Sequence, residues 1–214
     1  MNIFAISLSM HDHNTYDGHI HHQVERYTRI KHNFNMTDDF FNTYWKPNDH
    51  EIFAYTITIG GGIGLELVDR EKSSFGDELE FKPQKLWDYK LRDNIYYIDH
   101  HQSHATYAFL TSKYKESDIL SIDGRGWKYT CIFVDKNQNI IDLSKKLPIG
   151  RLWDRISRWM GFPRLGAGKL MGLSAYGKYS DEIHMYLEEL DKDGIFQKTS
   201  KEFNRFVHDN LIEN

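Results

Sequence analysis

The run Asn94-Ile95-Tyr96-Tyr97-Ile98-Asp99-His100-His101-Gln102-Ser103-His104-Ala105 decides the fold. Its first half, β-branched and aromatic, reads as a short strand. Asp99 can cap a helix that begins at His100. Ala105, Ala108, Phe109 and Leu110 are apolar positions that carry that helix to about Tyr114. A strand passing straight into a capped helix is a building unit of an α/β protein, and the alternation recurs on both sides.

Upstream, Ile3 to Leu8 reads as a strand and runs into a polar turn from Ser9 to Gly18, where Asp17-Gly18 is a turn signal. His19 to Tyr27 is expected to pair back as a second strand, which opens the chain with a hairpin. Thr37 to Tyr44 reads as helix, with Thr37 or Asp38 as cap. Phe53 to Ile59 reads as a strand ending in Gly60-Gly61-Gly62-Ile63-Gly64. Glu71 to Asp93 is charged and irregular, and is expected to form loops or a surface insertion. Lys113 to Ser117 marks an expected boundary between a first lobe, 1–117, and a second, 118–214. Beyond it, Asp118 to Ile122 and Tyr129 to Val134 read as strands around the tight turn Asp123-Gly124-Arg125-Gly126. A further turn, Lys136 to Asn139, leads to Ile140-Ile141-Asp142-Leu143. Arg151 to Met160 reads as helix, stopped by Gly161-Phe162-Pro163. Gly166 to Lys169 reads as a glycine-rich connection. Asp181 to Leu190 and Lys201 to Leu211 read as amphipathic helices.

Composition narrows the function classes. The chain has 214 residues, enough for one domain or two lobes with a real core. Hydrophobic residues are 40%, which excludes disorder throughout. No apolar run approaches the roughly 18 residues of a membrane span, and the N-terminus has no basic, cleavable leader pattern. The net charge of −4, with both signs interspersed, argues against a nucleic-acid or membrane binder. One cysteine, Cys131, excludes an internal disulfide and a cysteine-based zinc site. A cytoplasmic protein is expected.

Four motifs can carry chemistry. His100 and His104 are spaced i, i+4, so a helix puts both imidazoles on one face, where they suit two ligands of one metal ion. Asp99 could orient a ring nitrogen. Two ligands do not complete a site, and the other reading is a capped helix with solvated histidines. Asp123-Gly124-Arg125-Gly126 ends a strand in a turn whose amides can face an anion, though on this motif alone an ordinary hairpin turn is the favoured reading. Gly166 to Leu173 is no Walker A loop. Pro163 stands where that pattern needs glycine, and no Ser or Thr follows Lys169. Lys169 can still neutralise a phosphate, or be a solvated loop lysine. Glu25 to His32 clusters cations that could hold an anionic substrate, though such runs commonly form a solvated face. The Gly60–Gly64 run lacks the third glycine of a dinucleotide fingerprint.

Taken in order, these segments resemble one family. Ile6-Ser7 followed by His11-Asp12, then Glu25-Arg26-Tyr27-Thr28-Arg29-Ile30-Lys31-His32, are similar to the opening of the NodU/CmcH carbamoyltransferases. Asp99-His100-His101-Gln102-Ser103-His104-Ala105 resembles that family's D-H-H-x-x-H-A metal motif. Ile122-Asp123-Gly124-Arg125-Gly126 resembles its D-G-x-G loop. Gly168-Lys169-Leu170-Met171-Gly172-Leu173-Ser174-Ala175-Tyr176-Gly177 resembles its G-K-[LV]-M-G-L-x-x-[YH]-G block. The resemblance covers residues 3 to about 177.

The resemblance implies a Kae1-like α/β fold of the sugar-kinase/Hsp70/actin superfamily. It implies transfer of a carbamoyl group from carbamoyl phosphate, through a carbamoyl-adenylate made with ATP, to a hydroxyl of a small molecule. It implies a divalent metal, iron first, on His100 and His104. His11, Asp12 and His101 are then the expected catalytic residues. Asp123, Gly124, Gly126, Gly168 and Lys169 are expected at the nucleotide. Some positions depart from the pattern: Trp127 follows the D-G-x-G, Ala167 precedes the Gly-Lys, His13-Asn14-Thr15 follow His11-Asp12, and residues 57–93 match poorly. The chain ends at Asn214. A truncated second lobe is therefore expected, needing a C-terminal portion or a complementary chain for the rest of the lobe, for an aspartate to complete the metal site, and for a YrdC-like domain. Apolar surface should be exposed where that portion would lie. The alternative is a catalytically dead Kae1-like protein that binds metal or nucleotide.

Overall fold

Strand β1, Ile3–Leu8, organises the first sheet by burying Phe4 and Ile6 on one face. The computed structural model describes residues 2–8, 13–31, 43–44, 49–57, 81–92, 94–124, 126, 128–146, 149–163, 166–181, 184–185 and 188. β1 pairs antiparallel with β2, Asn14–Tyr16, which pairs antiparallel with β3, His21–Gln23. On its other side β1 runs parallel to β4, Ile52–Ile57, which runs parallel to a later strand, Ile95–Tyr97. An edge strand, β5, Lys90–Arg92, pairs antiparallel with that strand, which is therefore β6. The order is β3-β2-β1-β4-β6-β5. Its registers set Ile6 beside Tyr55 and Tyr55 beside Tyr97. Phe4, Ile6, Tyr55 and Tyr97 form one core, with Phe53, Phe81 and Ile95 packed against it.

The second sheet is an antiparallel meander of β7, Ile119–Ile122, β8, Cys131–Val134, and β9, Ile140–Asp142. Two further segments build its core. Helix α2, His100–Thr111, contributes Ala105, and the segment before β5 contributes Leu86. These pack with Ile119, Tyr129, Ile132 and Val134. Backbone bonds dock the Leu86 segment beside β9: Ile140 N donates to Gln84 O at 2.7 Å and Leu86 N to Gln138 O at 2.8 Å. Gln102 of α2 clamps it, with Nε2 donating to the carbonyls of Leu86 (2.8 Å) and Asp88 (3.0 Å). The position expected as a boundary, near 117, falls between the two sheets, while α2 and the Leu86 segment before it pack on the second sheet.

Three sequence expectations change. His19 to Tyr27 is extended only over His21–Gln23. Val24–Thr28 forms a short helix, α1, because Val24 N turns to His13 O and Arg29 N closes on Glu25 O. Within the irregular 71–93 stretch, residues 90–92 form β5. The Gly166–Lys169 connection is helical. Helix α3, Ile149–Trp159, is followed by α4, Ala167–Ser174, whose first turn is closed by Lys169 N and Leu170 N on Gly166 O. Gly166 permits the tight corner, since a Cβ there would stand 2.6 Å from Phe162 Cβ and 2.7 Å from Pro163 O. The helix expected over 37–44 lies mostly outside the described residues, as do the one over 201–211 and much of the one over 181–190. Among the described residues, no helix is long and apolar enough to cross a membrane.

Candidate metal centre

The site begins at the junction of β6 and α2. Asp99 caps the helix through a capping box: its Oδ1 accepts from His101 N at 3.0 Å, and Gln102 Oε1 accepts from Asp99 N at 3.1 Å. Burial pushes the Asp99 carboxyl up, against the backbone hydrogen bond from His101. The cap fixes the first turn, and one turn on, His100 and His104 share a face. Their Nε2 atoms are 3.1 Å apart.

The third member comes from the end of β7. Asp123 Oδ2 lies 2.7 Å from His100 Nε2 and 3.6 Å from His104 Nε2. The three donor atoms all fall within 4.8 Å of one another. Burial pushes the Asp123 carboxyl up, but the hydrogen bonds from His100 and His104 outweigh it and hold the group well below the usual carboxylate range. Three donors at about 2.1 Å from one ion, in tetrahedral or octahedral arrangement, stand about 3.0–3.4 Å from each other. The observed spacings, 2.7, 3.1 and 3.6 Å, bracket that range. Two imidazole nitrogens and a carboxylate oxygen are also a donor set that suits iron, zinc or manganese. The residues fit a divalent metal, and the exposed side of His104 leaves room for further ligands.

Close backbone packing holds Asp123 in place. Asp123 N donates to Thr130 O at 3.0 Å and Gly126 N to Tyr129 O at 2.9 Å. Gly150, at the start of α3, lies so close to the Asp123 carbonyl and Gly124 N that a Cβ would overlap them. Gly124 N donates to the Asp123 carboxylate itself. Both glycine amides of the D-G-x-G turn are therefore engaged within the turn, which leaves neither to face an anion.

The other expected site residues lie apart. His11 and Asp12 are outside the described residues. Gly168 and Lys169 are exposed on α4 and make none of the cluster's hydrogen bonds. His101 is fully buried, and burial, with the neighbouring His100 adding to it, lowers its imidazole to about 4. Asp123, assigned from sequence to nucleotide phosphates, instead faces the histidine pair. The available signal was an i, i+4 pair short of a third ligand, with an acid ending the next strand. Ser121 and Gly150 carried no signal in the sequence.

Comparison with known proteins adds a family context. The sequence pattern of the carbamoyltransferase N-terminus matches residues 12–214. Over 129 residues, 56% of this chain, the protein is 33% identical to the uncharacterized protein sll1178 of Synechocystis, covering 21% of that protein. Over 107 residues, 47% of this chain, it is 30% identical to the nodulation protein NolNO of Sinorhizobium fredii, covering 16% of that one. The matches span about a fifth or less of these relatives' length.

Proposed function

The chain belongs to the carbamoyltransferase N-terminus family, and from that premise we propose that it forms the acceptor-side part of an O-carbamoyltransferase. The acceptor is a hydroxyl of a small molecule, and the donor is a carbamoyl-adenylate. A C-terminal portion, on this polypeptide or on a complementary chain, would make that adenylate from carbamoyl phosphate and ATP. In the transfer step the acceptor oxygen attacks the carbamoyl carbon. The carbon–oxygen bond to the phosphate breaks, AMP leaves, and the hydroxyl proton passes to a base. His11 beside Asp12 is that base in this reading. His100, His104 and Asp123 hold a divalent metal, iron first, which when bound supplies Lewis-acid stabilisation of developing charge. Gly168 and Lys169 serve the nucleotide, while Gly124 and Gly126 shape the turn that carries Asp123.

The convergence of His100, His104 and Asp123 carries this proposal, because all three lie within the family match and within reach of one ion. The sheet order supports a Kae1-like fold: three antiparallel strands at one side, then two strands parallel to β1, then a second sheet beginning at β7. Residues 1–117 and 118–214 are then the two lobes. A cytoplasmic setting accords with the lone cysteine, Cys131.

The test is metal retention. The protein, loaded anaerobically with Fe2+ and desalted, is expected to keep about one equivalent, and H100A, H104A and D123A to keep less than about a tenth of that. Equal iron in all four proteins would remove the centre. Iron retention without carbamoyl transfer, when the remaining portion is supplied with carbamoyl phosphate and ATP, would favour the non-catalytic alternative.

A further inference from the structure

We infer that His101 and Ser121 form a positioning pair that holds Asp123 in register with His100 and His104. The inference rests on the metal-centre reading above and assigns His101 a role away from the reacting atoms.

The centre is split between two elements. Its histidines ride on α2, and its carboxylate rides on the end of β7. Within the centre, His100 Nε2 and Asp123 Oδ2 join the two elements at 2.7 Å. His101 adds a second, buried tie. Its ring is fully buried, and its Nδ1 shares a 3.0 Å hydrogen bond with Ser121 Oγ. Ser121 is itself buried and lies on β7 two residues before Asp123, which follows the strand. The buried positions of β7, Ile119 and Ser121, alternate onto the side of the strand that meets α2.

The same ring braces the far end of the turn. A Cβ at Gly126 would lie 2.5 Å from His101 Cδ2 and 3.1 Å from His101 Nε2, so Gly126 backbone rests directly on the imidazole. His101 thus touches the chain on both sides of Asp123. It also stands edge-on to both ligand rings, with centroids 5.5 Å from His100 and 6.1 Å from His104. Its Nε2 is buried and has no hydrogen-bond partner among the described residues. A group that exchanged protons with substrate would need that atom to be reachable. A spacer fixed through Nδ1 does not.

The two amide replacements separate these roles. An asparagine at 101 places its amide near the position of Nδ1 and can keep the bond to Ser121. A glutamine places its amide near Nε2 and cannot. The probe is Co2+ alone, titrated into the metal-free protein, with the visible absorption band reporting ligand geometry. Ser121→Ala and His101→Gln are expected to weaken Co2+ binding about tenfold and to change the band, while His101→Asn stays within about threefold of the original protein with its band intact. Thermal melting of each metal-free variant distinguishes a lost fold from a displaced ligand. Unchanged affinity and band in both S121A and H101Q would overturn the inference and leave the metal centre standing. Weakening of H101N to the level of H101Q would also overturn it. Failure of the original protein to bind Co2+ at all would overturn the centre and the inference together.

Discussion

Asp17 shows how a single side chain holds the opening turn. Its carboxylate accepts from Ile20 N at 2.8 Å and His19 N at 3.0 Å, and lies 3.1 Å from His22 Nε2. The Ile20 amide, then the His22 side chain, hold its carboxyl down at about 2. Because this folded value lies below the ordinary 3.8, the ionised group favours the fold. That contribution is complete above the unfolded value and is lost as pH falls through the folded one. Urea midpoints of the original protein and Asp17→Asn should therefore differ at pH 6 and converge between pH 4 and 2. A constant gap across that range would show that the carboxylate charge plays no part.

At the scale of elements, the most consequential structure is the first turn of α2. Asp99 accepts the His101 amide while fully buried, so its removal leaves a buried donor unpaired as well as an uncapped helix. Asp99→Ala should cost about 1–2 kcal/mol in denaturant unfolding, and Asp99→Asn, which can still accept that bond, markedly less. Equal losses in the two variants would mean that the carboxylate charge, not the cap, is what the position supplies. The cap, the i, i+4 pair and the helix extent were all legible from Asp99 to Leu110, because each depends on residues within two turns of one another. The helix at Ala167–Ser174 was not. Its glycines at 166 and 168 read as a connection, yet Gly166 is there for a tight corner against Phe162, a neighbour that only the folded chain supplies.

At the scale of the molecule, two cores share the work among the described residues. The Phe4 cluster lies on the first sheet, and the Ile132 cluster joins α2 to the second. The candidate metal centre sits on the second of these joins. Ile132→Ala should cost about 2–5 kcal/mol, because Ile132 is fully buried in that cluster. Saturation with metal should work in the opposite direction, adding about 2.7 kcal/mol at a free concentration of about 100 times Kd. That gain, read as a rise in Tm, should vanish in D123A; a rise that survives would place the metal elsewhere. The second sheet also presents apolar side chains to solvent. Leu120, Ile122 and Ile141 are exposed, and the register sets Leu120 and Ile141 on either side of Phe133.

The sequence by itself determined the α/β alternation, the capped helix, its histidine pair and the family, since these are written in local periodicity and in short ordered motifs. It placed Asp123 in a turn but not in its role. Only the tertiary structure decided that Asp123 meets the histidine pair, that Ser121 meets His101, and that Gly150 and Gly126 must lack side chains. The physical reason is sequence separation. His100 and Asp123 are 23 residues apart, and their distance of 2.7 Å is set by how α2 packs on β7. That packing depends on buried contacts from Leu86 to Val134 that no local pattern encodes.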